Sequence, residues 1–188
     1  MRRAAFGLLM TVLLVGCDDV WTPEQQQTKA ALVNAQLVRA SVSYQVNRYG
    51  EVLRAAATAA DPATQAGKNL ADYYASPECQ VILKLLTGVQ KPAPAGASFK
   101  RAKDLDEVQV ATSELAMLAM QPRGAWDEWN QKIDAARTRL YKATETLEQG
   151  QKSYVLIDTR QEANIRSAEL TASITKAIAT ASRGRPRD

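Results

Sequence analysis

From Ala35 the apolar positions run Val38, Val42, Val46, Tyr49, Leu53, Ala56 and Ala60, in steps of three and four. That spacing stacks them on one face of a helix. The stretch "TPEQ" supplies a start, with Thr22 as N-cap, Pro23 at the first turn and Gln25 at the capping-box position. One helix is predicted over about 23–60, with Gly50 as a soft point. "DPAT" starts a second helix to about Ser76, capped by Asp61. "SPEC" starts a third, capped by Ser76 and ended at Gly88. The apolar residues of this third helix (Val81, Ile82, Leu83, Leu85, Leu86) spread around it, which predicts burial on several sides. The segment "GVQKPAPAGAS" reads as an exposed connector inside one domain.

A fourth helix is predicted from about Phe99 to Met120, facing the core with Ala102, Leu105, Val108, Ala111, Leu115 and Leu118. The last segment carries a heptad-like seam from Trp126 through Trp129, Ile133, Ala136, Leu140, Ala143, Leu147, Gly150 and Tyr154 to Ile157. Beyond it Ala163, Leu170, Ile174 and Ala177 mark a new register. Two outcomes fit: one helix with a stutter, roughly 85 Å long from 125 to 182, or a bend near Gly150. Strand-like alternation is nearly absent. The fold class expected is all-α: an elongated antiparallel helical bundle with long coiled-coil-like helices. Ala-rich seams bury little area per residue, so self-association or a protein partner is expected to add burial.

The beginning of the chain follows a different pattern. Arg2 and Arg3 precede a short apolar run, Phe6 to Val15, which Asp18 and Asp19 end abruptly. About ten residues are too few to cross a bilayer, which takes roughly 20, and the arrangement is that of a secretory signal peptide. Leu14-Val15-Gly16-Cys17 resembles the lipobox of bacterial lipoproteins. The resemblance covers this segment alone. It implies acylation of Cys17, removal of residues 1–16 and firm attachment, since two or more acyl chains hold where one does not. Asp18, followed by Asp19, resembles an inner-membrane retention signal. The organisation expected is therefore 1–16 signal peptide, 17–22 lipidated tether, 23–182 a single helical-bundle domain and 183–188 a basic disordered tail. The place expected is the bacterial cell envelope, lipid-anchored and facing the periplasm, with the inner membrane favoured over the outer.

Charge changes the picture little. The chain has 24 basic and 20 acidic side chains, and two of the basic ones lie in the signal segment. The mature chain is nearly neutral, which argues against nucleic acid as a partner. Arg183, Arg185 and Arg187 are candidates for contact with an anionic surface, although a solvated terminus explains them more simply. With no histidine in the chain, Ser-His-Asp and Cys-His nucleophilic sites and His-ligated metal sites are excluded. Cys79 is the one thiol left if Cys17 is acylated, and its apolar neighbours predict burial rather than an intermolecular disulfide.

No Gly-rich phosphate loop, CxxC pair, HExxH or GxSxG motif is present. Asp104, Asp106 and Glu107 open a helix, where acids favour the macrodipole. Ser113-Glu114 reverses the Glu-Ser order of lytic transglycosylases, which sets that enzyme class aside. Trp126 and Trp129 share a helix face and could contact a partner or stack on a glycan, but their spacing to Ile133 places them first in the core seam. No catalytic residue, metal or cofactor is expected. The function expected is a non-enzymatic scaffold, adaptor or assembly component, by analogy one of a secretion or conjugation-type machine. The alternatives are a peptidoglycan- or glycan-binding envelope module and an exclusion or inhibitor lipoprotein.

Overall fold

The computed structural model describes residues 21–89, 95–96, 98–122 and 125–183. Six helices form a helical bundle, with no strand among the described residues: α1 (Pro23–Ala56), α2 (Pro62–Ala75), α3 (Pro77–Gly88), α4 (Ala102–Met120), α5 (Trp126–Glu148) and α6 (Ser153–Arg183). The three predicted starts are built as the sequence indicates. Thr22 Oγ1 accepts from the Gln25 amide at 3.2 Å, and Gln25 Oε1 accepts from the Thr22 amide at 2.9 Å. Asp61 and Ser76 each accept from an amide three residues on, and Pro stands in the first turn of α1, α2 and α3. Proline suits that turn because its missing N–H would have had no helical partner there. α1 stops four residues short of the expected end, and Ala60 is exposed outside it.

Ladders of contacts give the helix directions. Gln25 meets Tyr154, Lys29 meets Asp158 and Gln36 meets Asn164, so α1 and α6 run the same way. Arg101 meets the last turn of α5 while Arg139 pairs with Glu107 at 2.9 Å, so α4 and α5 run oppositely. Tyr73 bonds Gln45 and Asn69 bonds the Val52 carbonyl, so α2 returns along α1. α1 packs against every other helix. It is buried on several sides, through polar Thr28, Ser41 and Gln45 as well as through its apolar face. The burial on several sides expected of α3 is found: Cys79, Ile82 and Leu86 are sealed, Val81, Leu83 and Leu85 are half-buried against the core, and the helix packs against α1, α2, α4 and α6.

The choice left open near Gly150 resolves as a chain reversal. α5 ends at Glu148, four residues turn, and α6 starts back along α1. No continuous rod over 125–182 exists. The seam from Trp129 to Leu147 is buried as expected, but Tyr154 and Ile157 are exposed. After the turn the bundle side of α6 is set by Val155, Thr159 and Ala163, and then by Ile174 with half-buried Leu170 and Ala177, the predicted new register. Arg183, assigned to the tail, is the last residue of α6 and is exposed.

The reversal is fastened by Arg101. Its guanidinium donates to the Leu147 carbonyl at 2.9 Å and the Thr146 carbonyl at 2.5 Å, and its Nε meets Asp104 at 2.8 Å. Its own amide donates to Glu24 Oε1 at 2.9 Å. A cation at the carbonyl end of a helix opposes the negative pole of the macrodipole and satisfies otherwise orphaned acceptors. Gly150 makes room: a Cβ there would stand on the Arg101 guanidinium.

Candidate functional site

Cys17, Asp18, Asp19, Arg185 and Arg187 lie outside the described residues. The first described residue, Trp21, stands at the end of the bundle where α1 starts. Its ring meets Tyr154 edge-on at 6.0 Å, and Lys29 lies 5.2 Å over it. Lys152 lies 5.7 Å over Tyr154. The α5–α6 turn thus folds over the start of α1 and brings two aromatic rings and two lysines to one end. Beside them Lys29 bridges Asp158 at 2.5 Å and Glu162 at 2.7 Å, while Arg166 holds the other oxygen of Glu162 at 2.7 Å. The bond to Asp158, then that to Glu162, raises the Lys29 pKa above 10.5, and the bond to Lys29 lowers that of Glu162 below 4.5. A cavity of about 350 Å³ opens between Trp21 and these charges. All its cations and acids but Arg166 are engaged across α1 and α6, so it reads as a clasp between helices rather than as a substrate site.

The second zone lies about 40 Å along α1, at its far end. Trp129 is 2% exposed, and its indole N–H donates to the Leu118 carbonyl at 2.9 Å. Its ring packs 5.2 Å from Tyr49 and 5.3 Å from Trp126. Trp126 is half-buried and lies over Gly50, where a Cβ would come within 3.8 Å. With Leu53, Leu70, Tyr74 and Pro122 the two tryptophans line a cavity of about 180 Å³. The seam expectation is met by Trp129, whose only donor is spent inside the fold. Trp126 alone of the pair shows a face that a ligand could reach.

The third zone was not legible as a site. Gln45 is fully buried and accepts from the Tyr73 hydroxyl at 2.7 Å, while its amide faces Cys79 Sγ at 3.9 Å. Burial pushes the Cys79 thiol up, against the opposing bonds from Gln45 and Tyr73, and burial also pushes up the Tyr73 hydroxyl. A raised thiol pKa with no base beside it is the opposite of an activated nucleophile. Arg48 holds Glu78 through two nitrogens at 3.1 and 2.9 Å and also pairs with Glu51. These groups join α1 to α2 and α3 and leave no free acid–base pair. In the sequence they carry no signal, because Gln45, Glu78 and Tyr73 meet only in the fold.

Among the described residues no group of three or more His, Cys, Asp or Glu stands ready to hold a metal, and no helix is long and apolar enough to cross a membrane. Compared with known proteins, the chain matches no family model, no curated protein and no solved structure.

Proposed function

We propose that the protein is an acylated lipoprotein of the bacterial envelope that acts as a non-enzymatic scaffold, adaptor or assembly component, held by its N-terminal end and facing the periplasm, with the inner membrane favoured. The observation that carries the reading is the placement of Cys17, six residues ahead of the capped start of α1. Six residues reach at most about 20 Å, so an acylated Cys17 would hold the Trp21–Tyr154 end close to a lipid surface. Trp and Tyr rings beside lysines suit the headgroup region. We read the whole as an elongated bundle of up-and-down legs, with α2 and α3 forming one returning leg. Successive legs then run antiparallel, which leaves α1, α4 and α6 parallel to one another. Such a body offers long helical sides to a protein partner.

Metabolic labelling with palmitate tests the anchor: the wild-type chain is expected to be labelled and membrane-bound, and Cys17→Ser to be unlabelled. An unlabelled wild-type chain would sink the reading. Recovery of a stoichiometric protein partner, or of a homo-oligomer, from detergent-solubilised membranes tests the scaffold role; a chain that remains alone and monomeric contradicts it. A second reading, glycan binding, is favoured by the half-buried Trp126 beside its cavity. Trp126→Ala would abolish retention on peptidoglycan and leave the fold intact.

A further inference from the structure

The side of α6 turned away from the bundle carries a second seam. Ile165, Ala168, Ala172, Thr175, Ala179 and Ser182 follow alternating steps of three and four, and all six are exposed. Ile165 is 58% exposed. A regular seam of this spacing with an exposed isoleucine in it is the pattern of one strand of a two-helix coil. Along one edge of the seam, at intervals of seven, stand Glu162, Glu169, Lys176 and Arg183. Acids occupy the N-terminal half of that edge and bases the C-terminal half.

We propose that this face pairs with α6 of a second copy of the chain, antiparallel, about a two-fold axis between Ala172 and Thr175. In that register Ile165 packs against Ser182 of the second copy, Ala168 against its Ala179 and Ala172 against its Thr175. The same register places exposed Glu169 against the second copy's Lys176, and the two-fold repeats this pair; Arg183 of that copy comes beside Glu162, whose oxygens already hold Lys29 and Arg166. Sliding one copy by a heptad either way sets Glu169 against Glu169 or Lys176 against Lys176 at the axis. Parallel pairing would bring the edge against Asn164, Thr171 and Ile178, which carry no charge. The charges thus select both the direction and the register, as edge charges do in coiled coils. The two-fold is the self-complementary geometry most homodimers use. Small seam residues let the helices approach closely but bury little area, so a weak dimer is expected, with Kd between about 1 μM and 1 mM. Confinement on a membrane would raise its effective concentration, but the pairing itself needs no anchor and goes beyond the proposed role.

Sedimentation equilibrium of the full-length protein, in a large excess of detergent micelles, reads the association. The wild-type chain is expected to dimerise with rising concentration. Glu169 already has an exposed place on the helix, so Glu169→Lys should leave the helical content and melting of the monomer unchanged. Because the two-fold counts each contact twice, the substitution is expected to weaken the dimer about tenfold. The double swap Glu169→Lys with Lys176→Glu restores opposite charges in the same register and is expected to return the wild-type affinity. A chain that stays monomeric to millimolar concentration overturns the proposal. So does a dimer indifferent to Glu169→Lys, or one that the double swap fails to restore.

Discussion

Arg101 joins three helices: its backbone amide donates to Glu24 of α1, while its side chain meets Asp104 of α4 through Nε and closes the last turn of α5 through its terminal nitrogens. Removing its side chain takes the guanidinium donor from the Thr146 carbonyl and leaves the Leu147 carbonyl with the 3.4 Å bond from the Gln151 side chain. Charged hydrogen bonds to partly buried acceptors contribute about 1.5–3 kcal/mol, so Arg101→Ala should lower the melting temperature by about 4–8 °C. Gly150→Ala should have a similar effect, because the new methyl group occupies the guanidinium's place; circular-dichroism melting of the two variants checks both. The two tryptophans should separate in the same assay. Trp129→Ala opens a cavity and orphans the Leu118 carbonyl, a loss of about 3–5 kcal/mol, whereas Trp126→Ala, at the rim, should cost about half that or less. Cys79 offers a simpler readout. It is sealed and its pKa is raised, so a thiol reagent at pH 8 should leave it unmodified in the native protein and modify it after denaturation.

The pairing of α1 with α6 depends on the Lys29 clasp, and its pH dependence has two limbs. Glu162 titrates below its ordinary 4.5, so its contribution is present above that pH and is lost as pH falls through the lowered value. Lys29 titrates above 10.5, so its contribution is present below that pH and is lost as pH rises through the raised value. Lys29→Met should therefore lower stability by about 1 kcal/mol or less between about pH 5 and 10, and the difference from wild type should shrink outside that window; melting as a function of pH checks it. Helix starts were the most legible features of this chain, because a cap is local chemistry: Thr22, Asp61 and Ser76 each announce themselves by a proline one residue later. Helix sides were less so. The heptad spacing continues through Gly150 to Tyr154 and Ile157, but periodicity does not register that Arg101, some 45 residues upstream, pins the chain into a turn there. α1 looked one-sided, but off that stripe Val33 and Leu37 are buried against Ala163, and so are the polar residues Thr28, Ser41 and Gln45. These are acceptable inside the bundle only because partners elsewhere, or their own helix, satisfy them: Ser41 bonds the Leu37 carbonyl and Gln45 bonds Tyr73. The aromatic cavity was half legible, through Trp126 and Trp129; Tyr49, Tyr74 and Pro122 reach it only by tertiary packing.

At the scale of the molecule, the proposed anchor and the three tryptophans make a ruler. Trp21 stands at the start of α1, while Trp126 and Trp129 pack near Gly50 and Tyr49, about 40 Å farther along the same helix. If a lipid on Cys17 holds the chain and the bundle stands on its tether end, only the near tryptophan lies within reach of the bilayer. In vesicles containing lipids that carry a fluorescence quencher in the headgroup region, Trp21 should be quenched and the distant pair should not. Trp21→Phe should then abolish the quenching while keeping most of the fluorescence. The substitution preserves the edge-on contact with Tyr154 well enough to keep the fold, since Trp21 precedes the helix and its cap. The orientation has a physical reason. The near end presents Trp21, Tyr154 and Lys152, rings and a cation that an anionic headgroup layer accepts, while Lys29 is held by Asp158 and Glu162. The far aromatic cluster instead spends Trp129's donor inside the protein. Quenching of the Trp126–Trp129 pair would mean that the bundle lies along the membrane. The long sides of α4, α5 and α6 would then face lipid as well as protein, and the antiparallel pairing of α6 would have to form within the plane of the surface.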